Sequence, residues 1–292
     1  MNSANGTRTV LITGGNSGIG LEAAVGIATS GHRVVIAVRN AAKGEMAVAD
    51  IKARSGNDRV ETLPLDLASM ASIRSFAEAW QSRGEPIRVL LNNAGLIQRS
   101  RTTTADGFET TFGVNHLGHF LLTNLLRDAI VAGGPGARVV TVASGAHRGA
   151  RRGLDFDDLM WERRRYSGMG MGAYAASKLA NILFSNELAR RWESSGVAAN
   201  ALHPGFVGSN FAREGDGGRL GDVGMALLRP FALSPAKGAR TSIHVAISPE
   251  AEGITGRYFV KCKPAATSAA AADPEAAARL WEVSEALVGI AT

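Results

Sequence analysis

The fold is decided by one stretch near the start of the chain, Thr9-Val-Leu-Ile-Thr-Gly-Gly-Asn-Ser-Gly-Ile-Gly-Leu-Glu-Ala-Ala-Val-Gly-Ile-Ala28. Its first five residues, Thr9 to Thr13, are mostly apolar and β-branched, which predicts a buried strand. A glycine-rich turn follows, and the residues from Ile19 to Ala28 have the composition of a helix. The stretch therefore predicts a strand, a glycine turn and a helix in succession, which is how a βαβ unit begins.

The same alternation of strand and helix continues through most of the chain. Further apolar runs predict strands at Arg33–Val38, Val60–Leu65, Val89–Asn92, Arg138–Val142 and Ala198–Leu202. Helical composition lies between them at Ala41–Arg54, Ser69–Ser82, Phe108–Ile130 and Ala173–Ser194. Continuous apolar strands separated by helices are typical of a parallel sheet that is covered on both faces. We therefore predict an α/β fold, a doubly wound parallel sheet with helices on both faces, in a single domain over residues 1–292.

Three segments depart from this alternation. The first, at about residues 147–172, mixes arginines, aspartates, glycines and methionines, and we interpret it as an insertion at the rim of the sheet. The second, at about residues 205–235, is glycine-rich and then apolar, which suits a substrate lid. The third is a C-terminal helical tail at about residues 264–292, with its helix predicted at Pro274–Val288.

Composition excludes several classes of protein. The chain is 45% hydrophobic and 20% charged, a balance that favours a folded soluble protein. A single cysteine, Cys262, excludes an internal disulfide, and the six histidines are irregularly spaced, so we predict no metal site. No apolar run approaches the roughly 18 residues of a membrane-spanning helix. We expect a cytoplasmic protein without a membrane span.

The net charge of +6 comes partly from arginines that cluster in the segment 147–172. They are Arg148, Arg151, Arg152, Arg163, Arg164 and Arg165. Such a cluster could attract nucleic acid or an anionic membrane, but a solvated surface is the simpler interpretation. Because no aromatic residues interleave with the arginines in a recognisable binding motif, we predict no nucleic-acid partner.

The glycine turn is a candidate dinucleotide site. Its glycines fall at Gly14, Gly18 and Gly20, a spacing different from the common G-x-G-x-x-G fingerprint. The physical role is the same, because glycines let the backbone turn tightly and approach a pyrophosphate at the N-terminus of the following helix. A strand-turn-helix junction needs glycines in any case, so the turn by itself is also explained by structure alone.

The residue that ends the second predicted strand indicates which dinucleotide binds. An acidic side chain there would hold the ribose of NAD, whereas an arginine accommodates the 2′-phosphate of NADP. Arg39 follows the strand, with Lys43 close behind. We therefore predict NADP(H) in preference to NAD(H); the alternative is that Arg39 is an exposed loop cation.

A second candidate site lies further along the chain. Tyr174 and Lys178 are four residues apart, which puts both on one face of a helix. A nearby ammonium favours the phenolate and makes a tyrosine a usable proton donor or acceptor. Ser144 follows the strand Arg138–Val142, and a hydroxyl at the carboxyl end of a parallel strand can bind a substrate oxygen. Each of the three residues alone is more simply explained as structural.

Together these motifs resemble the short-chain dehydrogenase/reductase superfamily. The resemblance is carried, in chain order and over roughly residues 8 to 260, by the glycine loop, Asn92-Asn-Ala-Gly95, Asn115, Ser144, Tyr174-x-x-x-Lys178 and His203-Pro-Gly205. Within the superfamily, Val114-Asn-His-Leu-Gly-His-Phe120 and Leu280-Trp-Glu-Val-Ser284 look like the retinol dehydrogenase and protochlorophyllide reductase branch. The resemblance implies a Rossmann-type fold that binds a nicotinamide cofactor.

The resemblance also implies roles for individual residues. Tyr174 would be the acid/base, Lys178 would bind the nicotinamide ribose and lower the pKa of the tyrosine, Ser144 would orient the substrate oxygen, and Asn115 would support a proton relay. Residues implied to contact the cofactor are Gly14, Asn16, Ser17, Gly18, Ile19, Gly20, Arg39, Asp66, Leu67, Asn93, Ala94, Gly95, Tyr174, Lys178, Pro204, Gly205, Val207 and Ser209. Ser209 stands where many relatives have threonine, and it keeps the hydroxyl.

The sequence thus predicts an NADP(H)-dependent oxidoreductase that transfers a hydride between the nicotinamide and a carbonyl or secondary alcohol. The alternative is a non-catalytic NADP(H)-binding regulator or scaffold of the same fold. Apolar residues within Val223–Leu233 suggest a lipophilic small-molecule substrate. A homodimer or homotetramer is possible, since relatives often form them.

Overall fold

An eight-stranded sheet organises the computed structural model, which describes residues 8–205 and 233–291. The strands are β1 Thr9–Thr13, β2 Arg33–Val38, β3 Val60–Pro64, β4 Val89–Asn92, β5 Arg138–Val142, β6 Ala198–His203, β7 Arg257–Val260 and β8 Lys263–Pro264. Their order is β3-β2-β1-β4-β5-β6-β7-β8, and every neighbouring pair is parallel except β7 and β8. The strand order reverses between β1 and β4, so a ligand crevice is expected outside the carboxyl ends of those two strands.

Helices cover both faces of the sheet. They are α1 Gly18–Thr29, α2 Ala41–Ser55, α3 Met70–Arg83, α4 Thr110–Phe112, α5 Gly118–Leu125, α6 Arg127–Val131, α7 Met171–Arg191, α8 Pro235–Ile247 and α9 Pro274–Val288. On one face, α1, α2 and α8 pack with Val10 and Ile12 of β1 in one buried cluster. On the other face, α3, α5, α7 and α9 pack with Leu11 in a second cluster. The doubly wound sheet predicted from the sequence is therefore confirmed.

The central strands are buried because most of their side chains are apolar on both faces. In β1, the alternating residues Val10, Leu11 and Ile12 are all inaccessible to solvent although they point to opposite sides. Helix ends are set by local residues in the same way. Asn40 caps α2 by accepting a hydrogen bond from the Lys43 amide at 2.9 Å, and Gly56 ends that helix in the left-handed conformation.

The predicted helix Phe108–Ile130 is interrupted in the structure. Its central turn, Gly113–Leu117, is a π-helix, in which the Gly118 amide donates to the Gly113 carbonyl five residues earlier. Leu126 then leaves helical geometry with φ −92° and ψ 7°, which separates α5 from α6. Hydrophobic periodicity does not distinguish a π-turn from an α-turn, so the sequence-based prediction joined these pieces into one helix.

Three elements beyond β6 were not predicted from the sequence, namely β7, β8 and α8. The strand β7 pairs with β6, and a tight turn at Lys261 and Cys262 leads into the antiparallel strand β8. Both turn residues have positive φ, 50° and 64°, although neither is a glycine. The helix α8 is capped by Ser234, whose hydroxyl accepts a hydrogen bond from the backbone amide of Lys237.

Within the segment 147–172, one carboxylate organises the turn at residues 158–164. Asp158 accepts hydrogen bonds from the amides of Glu162, Arg163 and Arg164 and from Arg164 Nε. Although burial opposes ionisation, these donors hold the pKa of Asp158 at about 2. Part of the basic cluster therefore stabilises its own loop, while Arg151, Arg152, Arg163 and Arg165 are exposed.

The remaining predicted segments have different outcomes. The C-terminal helix occurs at Pro274–Val288 as expected, capped by Asp273. Most of the predicted lid at about 205–235 lies outside the described residues. Within the described ranges, no helix combines the length and the apolar character needed to cross a membrane.

Candidate active site

The glycine loop joins the carboxyl end of β1 to the start of α1. Gly14 and Gly18 have φ of 67° and 56°, a region that side chains rarely adopt. Gly20 is needed for a different reason, because a Cβ there would overlap the Gly14 carbonyl and lie 2.5 Å from Asn93 Nδ2. The loop can therefore keep this tight path only with glycines at these positions.

The N-terminus of α1 is suited to an anion. Ser17 occupies the cap position with extended backbone, yet its side chain makes no capping hydrogen bond. The backbone amides of Gly18 and Ile19 in the first turn therefore form no hydrogen bond with the Ser17 side chain, and they lie at the positive end of the helix dipole. Asn16 and Ser17 precede them in the loop. This arrangement fits the pyrophosphate of a dinucleotide.

The loop after β4 is fastened to the end of β1. The backbone amide of Asn93 donates to Thr13 Oγ1 at 2.9 Å, and the side-chain Nδ2 of Asn93 donates to the Thr13 carbonyl at 2.8 Å. The Ala94 amide donates to the same hydroxyl at 3.0 Å. Gly95 follows, and a Cβ there would approach Lys178 Nζ to 3.3 Å. The loop Asn93–Gly95 therefore connects the glycine loop with the second candidate site.

Two further predicted contacts lie at the carboxyl ends of β2 and β3. Arg39 directly follows β2 and is exposed, with no ion pair to any described residue. Asp66 lies beyond β3, where its carboxylate accepts from the Ala68 amide at 2.9 Å. The next residue, Leu67, is buried, and its carbonyl lies against Gly118. Both positions are on the edge of the sheet that carries the glycine loop, because the strands are parallel.

Ser144, Tyr174 and Lys178 come together as the sequence predicted. Ser144 follows β5, and its hydroxyl is hydrogen-bonded to the phenol of Tyr174. Lys178 lies one turn later on α7, with Nζ 5.7 Å from the centre of the Tyr174 ring. That ammonium donates to the Val142 carbonyl at 2.9 Å, which leaves donors available for a ligand such as ribose hydroxyls.

Asn115 is buried in the π-turn beside these three residues. Its side chain accepts from the Leu96 amide at 2.8 Å and donates to the Leu96 carbonyl at 2.9 Å. Nδ2 also donates to Ser177 Oγ at 3.0 Å. Ser177 in turn donates to the Tyr174 carbonyl at 2.8 Å. The π-turn is therefore tied to the first turns of α7, and π-turns of this kind are frequent at functional sites.

Burial controls the protonation of Tyr174 and Lys178. It raises the pKa of Tyr174 to about 12, and the hydrogen bond from Ser144 offsets this only in part. Burial also lowers the pKa of Lys178 to about 7. Lys178 is not among the causes of the raised pKa of Tyr174, so its implied role in lowering that pKa stays a prediction.

The last group of predicted contacts follows β6. Pro204 and Gly205 are partly buried, and Gly205 has φ 94°. His203 joins this end of β6 to the Ser144 turn, since its Nδ1 accepts from the amides of Gly145 at 3.2 Å and Gly205 at 3.3 Å. Val207 and Ser209 lie outside the described residues.

Comparison with known proteins assigns this geometry to a family. The model of the short chain dehydrogenase family matches residues 8–154 and 164–217. The chain belongs to the short chain dehydrogenase family. It is 44% identical to retinol dehydrogenase 12 of Mus musculus over 283 residues, 97% of this chain and 87% of that protein. It is 42% identical to retinol dehydrogenase 13 of Homo sapiens over 290 residues, 97% of this chain and 85% of the relative.

These relatives place this short chain dehydrogenase in the retinol dehydrogenase-like branch of an oxidoreductase family. A solved structure of an uncharacterized protein from Mycobacterium paratuberculosis has a TM-score of 0.76 and 35% identity, covering 97% of this chain and 94% of the other. The NADP complex of Pseudomonas aeruginosa RhlG has a TM-score of 0.67 and covers 86% and 93%. At 24% identity, RhlG shows a shared fold alone.

In this short chain dehydrogenase, two buried residues that hold the site together were not recognised from the sequence. Thr13 accepts both amides of the Asn93–Ala94 turn, and His119 connects Thr13 to Asn115. The available signal for His119 was its position four residues after Asn115, which places both on one helical face. Thr13 looked like an ordinary β-branched strand residue.

Proposed function

We propose that this short chain dehydrogenase is an NADP(H)-dependent oxidoreductase acting on a carbonyl or secondary alcohol of a lipophilic small molecule. The proposal depends on one observation: Ser144, Tyr174 and Lys178 converge at the sheet edge that also carries the glycine loop. When bound, NADP(H) would supply or accept the hydride. Gly14, Gly18, Gly20 and the N-terminus of α1 would hold its pyrophosphate.

Tyr174 would exchange the proton of the substrate oxygen. A pKa of about 12 keeps the phenol protonated at neutral pH, so in the reduction direction it can give its proton to the developing alkoxide. Ser144 already contacts the phenol, so its hydroxyl is placed to bind the same substrate oxygen. Lys178 would bind ribose hydroxyls through the ammonium donors that Val142 does not use.

Arg39 supports the preference for NADP(H). Its exposed guanidinium follows β2 without a carboxylate partner among the described residues. A 2′-phosphate on the adenosine ribose would provide a charge-assisted, bidentate partner there. NAD would leave this arginine without that contact.

Apolar side chains beside the first turn of α7 and at the end of β6 support a lipophilic substrate; they are Trp161, Met169, Met171 and Leu233. Met169 and Met171 are 58% and 47% exposed, which is unusual for large apolar side chains. Met171 precedes Tyr174 by three residues on α7, so both lie on one helical face. Trp161 packs against Gly172, and Leu233 packs against Gly205 at the end of β6. Flexible methionine side chains can adapt to irregular apolar ligands.

A fluorescence titration with NADPH and NADH tests the proposal first, followed by NADPH consumption with a panel of aldehydes, ketones and quinones. We expect tighter binding of NADPH and turnover of at least one lipophilic carbonyl. Binding without any turnover would favour the alternative of a non-catalytic NADP(H)-binding protein. No binding of either nucleotide would refute both. A cytoplasmic location and assembly into a homodimer or homotetramer remain predictions.

A further inference from the structure

His119 uses both of its ring nitrogens inside the protein. It is the second residue of α5 and is 1% exposed. Nδ1 lies 3.0 Å from the carbonyl oxygen of Asn115, and Nε2 lies 2.9 Å from Thr13 Oγ1. The ring therefore spans the distance between the end of β1 and the π-turn that carries Asn115.

The partners of His119 determine where its proton lies. A backbone carbonyl can only accept a hydrogen bond, so Nδ1 must carry the hydrogen that points to Asn115. Thr13 Oγ1 accepts the amides of Asn93 at 2.9 Å and Ala94 at 3.0 Å. The Thr13 hydroxyl can therefore donate its hydrogen to His119 Nε2 at 2.9 Å, which is a shorter contact than the 3.5 Å to the Leu91 carbonyl. One tautomer thus satisfies every polar atom of the bridge.

The charge state agrees with this arrangement. Burial lowers the pKa of His119 to about 4, the carbonyl of Asn115 opposes that effect in part, and the charge of Lys178 lowers the pKa further. The ring is therefore neutral throughout the pH range in which the protein would be assayed. A neutral ring is required, because a protonated Nε2 could no longer accept from Thr13.

The bridge connects the two halves of the candidate site. On one side, Thr13 fixes the Asn93–Ala94 turn beside the glycine loop. On the other side, Asn115 is linked through Ser177 to the backbone of Tyr174. A displacement of His119 would therefore change the distance between the residues proposed to hold the cofactor and the residue proposed to move the proton.

We propose that His119, as its Nδ1–H tautomer, is a positioning residue that sets the π-turn of Asn115, and through it Tyr174, relative to the glycine loop. The proposal rests on the proposed function for its catalytic consequence. The bridge itself does not depend on any activity.

The tautomer is measured by nitrogen-15 NMR of the full chain, with the His119 signals assigned from their loss in His119→Asn. We expect a protonated Nδ1, an unprotonated Nε2, and no titration between about pH 5.5 and pH 8.5. An Nε2–H tautomer, or a titration near the ordinary histidine pKa, would overturn the bridge whether or not the protein has activity.

Two substitutions separate the roles of the nitrogens. The short side-chain amide in His119→Asn can still donate to the Asn115 carbonyl but cannot reach Thr13. The longer side-chain amide in His119→Gln can reach Thr13 but loses the hydrogen bond to the Asn115 carbonyl. We expect His119→Gln to lower kcat about 10- to 100-fold, because misplacement by about 1 Å can cost that much. We expect His119→Asn to lower kcat by a similar factor, because it cuts the bridge at Thr13, with similar losses of Tm in both variants.

A kcat near the wild-type value in either variant would overturn the positioning role. NADPH titration of each variant separates a binding defect, which would raise Kd, from the loss of kcat that we expect. If the wild-type protein turns over no substrate, the proposed function fails, and the carbon-13 resonance of the Tyr174 phenol decides the inference. The proposal then requires that resonance to shift in both variants.

Discussion

Lys178 donates a hydrogen bond from its buried ammonium to the carbonyl of Val142 across 2.9 Å. This contact joins α7 to the last residue of β5, and Ser144 lies only two residues beyond. The contact therefore holds Ser144 close to Tyr174, which lies on the same helix as Lys178. The lysine is 2% exposed and has no carboxylate partner among the described residues, so its burial is not offset by an ion pair.

The burial of Lys178 predicts that the stability of the cofactor-free protein depends on pH. Folding lowers the pKa of Lys178 from 10.5 to about 7. Between these two values the unfolded chain binds a proton that the folded chain does not, so stability rises with pH in that range. Lys178 contributes at most about 1.4 kcal/mol per pH unit to this rise.

Urea unfolding between about pH 7 and pH 9.5 measures that rise. We expect Lys178→Met to be more stable than the wild type near pH 7 and to show a flatter dependence on pH. Lys237 is exposed on α8, so Lys237→Met controls for the loss of a positive charge. A wild-type slope that survives in Lys178→Met would show that other groups cause it.

Substitution of Gly20 should weaken cofactor binding while the fold is retained. In Gly20→Ala the new methyl group would overlap the Gly14 carbonyl, so the loop must move away from the N-terminus of α1. We expect the Kd for NADPH to rise more than about tenfold, since the loop amides would no longer face the pyrophosphate. Gly149→Ala is the matched control, because a methyl group there would meet Ala175 at an ordinary 3.4 Å. Unchanged NADPH binding in Gly20→Ala would contradict the location of the pyrophosphate.

Removal of Arg39 should reduce the difference in Kd between NADPH and NADH. A hydrogen bond to a charged group contributes about 1.5–3 kcal/mol, which is roughly a 10- to 100-fold change in Kd. We expect Arg39→Ala to raise the Kd for NADPH by that factor and to keep the Kd for NADH within about twofold of the wild-type value. Arg257 is exposed at the opposite, amino end of β7, so Arg257→Ala provides the control. Equal losses for NADPH and NADH would argue against a contact with the 2′-phosphate.

The sequence predicted the strands and their layering well because the signal was local. Five of the first six strands are runs of four to six mostly apolar residues that the sheet buries, whereas β3 lies at the edge and is only partly buried. The strand β7, Arg257-Tyr-Phe-Val260, was missed although its local pattern resembles that of β2 and β5, which also begin with an arginine and were predicted. The strand β8 has only two residues, and only its pairing with β7 makes it a strand.

The site was predicted less completely, because some of its properties arise from packing. The spacing of Tyr174 and Lys178 was visible, but the lowered pKa of Lys178 results from burial by residues distant in the sequence. The same holds for His119 and Thr13, which are 106 residues apart in the chain and 2.9 Å apart in space. A pattern read along one chain contains no information about such a contact.

Trp281 should prove essential for stability although it lies far along the chain from the proposed site. It is buried on α9, stacked on Phe184 of α7 with centroids 5.8 Å apart and edge-on to Phe120 at 4.9 Å. We expect Trp281→Ala to lower the free energy of unfolding by about 3–5 kcal/mol. Chemical denaturation measures this change. A loss below about 1 kcal/mol would mean that α9 is not part of the core.

The central claim is that Tyr174 moves a proton beside a bound nicotinamide, and it is tested most directly by measuring kcat and the NADPH Kd of Tyr174→Phe together. Tyr258 is the matched control, because burial raises its pKa to about 12 as well, yet it lies on β7. We predict that Tyr174→Phe loses about 10²- to 10⁴-fold in kcat with Kd within about twofold, while Tyr258→Phe keeps its turnover. Turnover near the wild-type value in Tyr174→Phe would contradict the account.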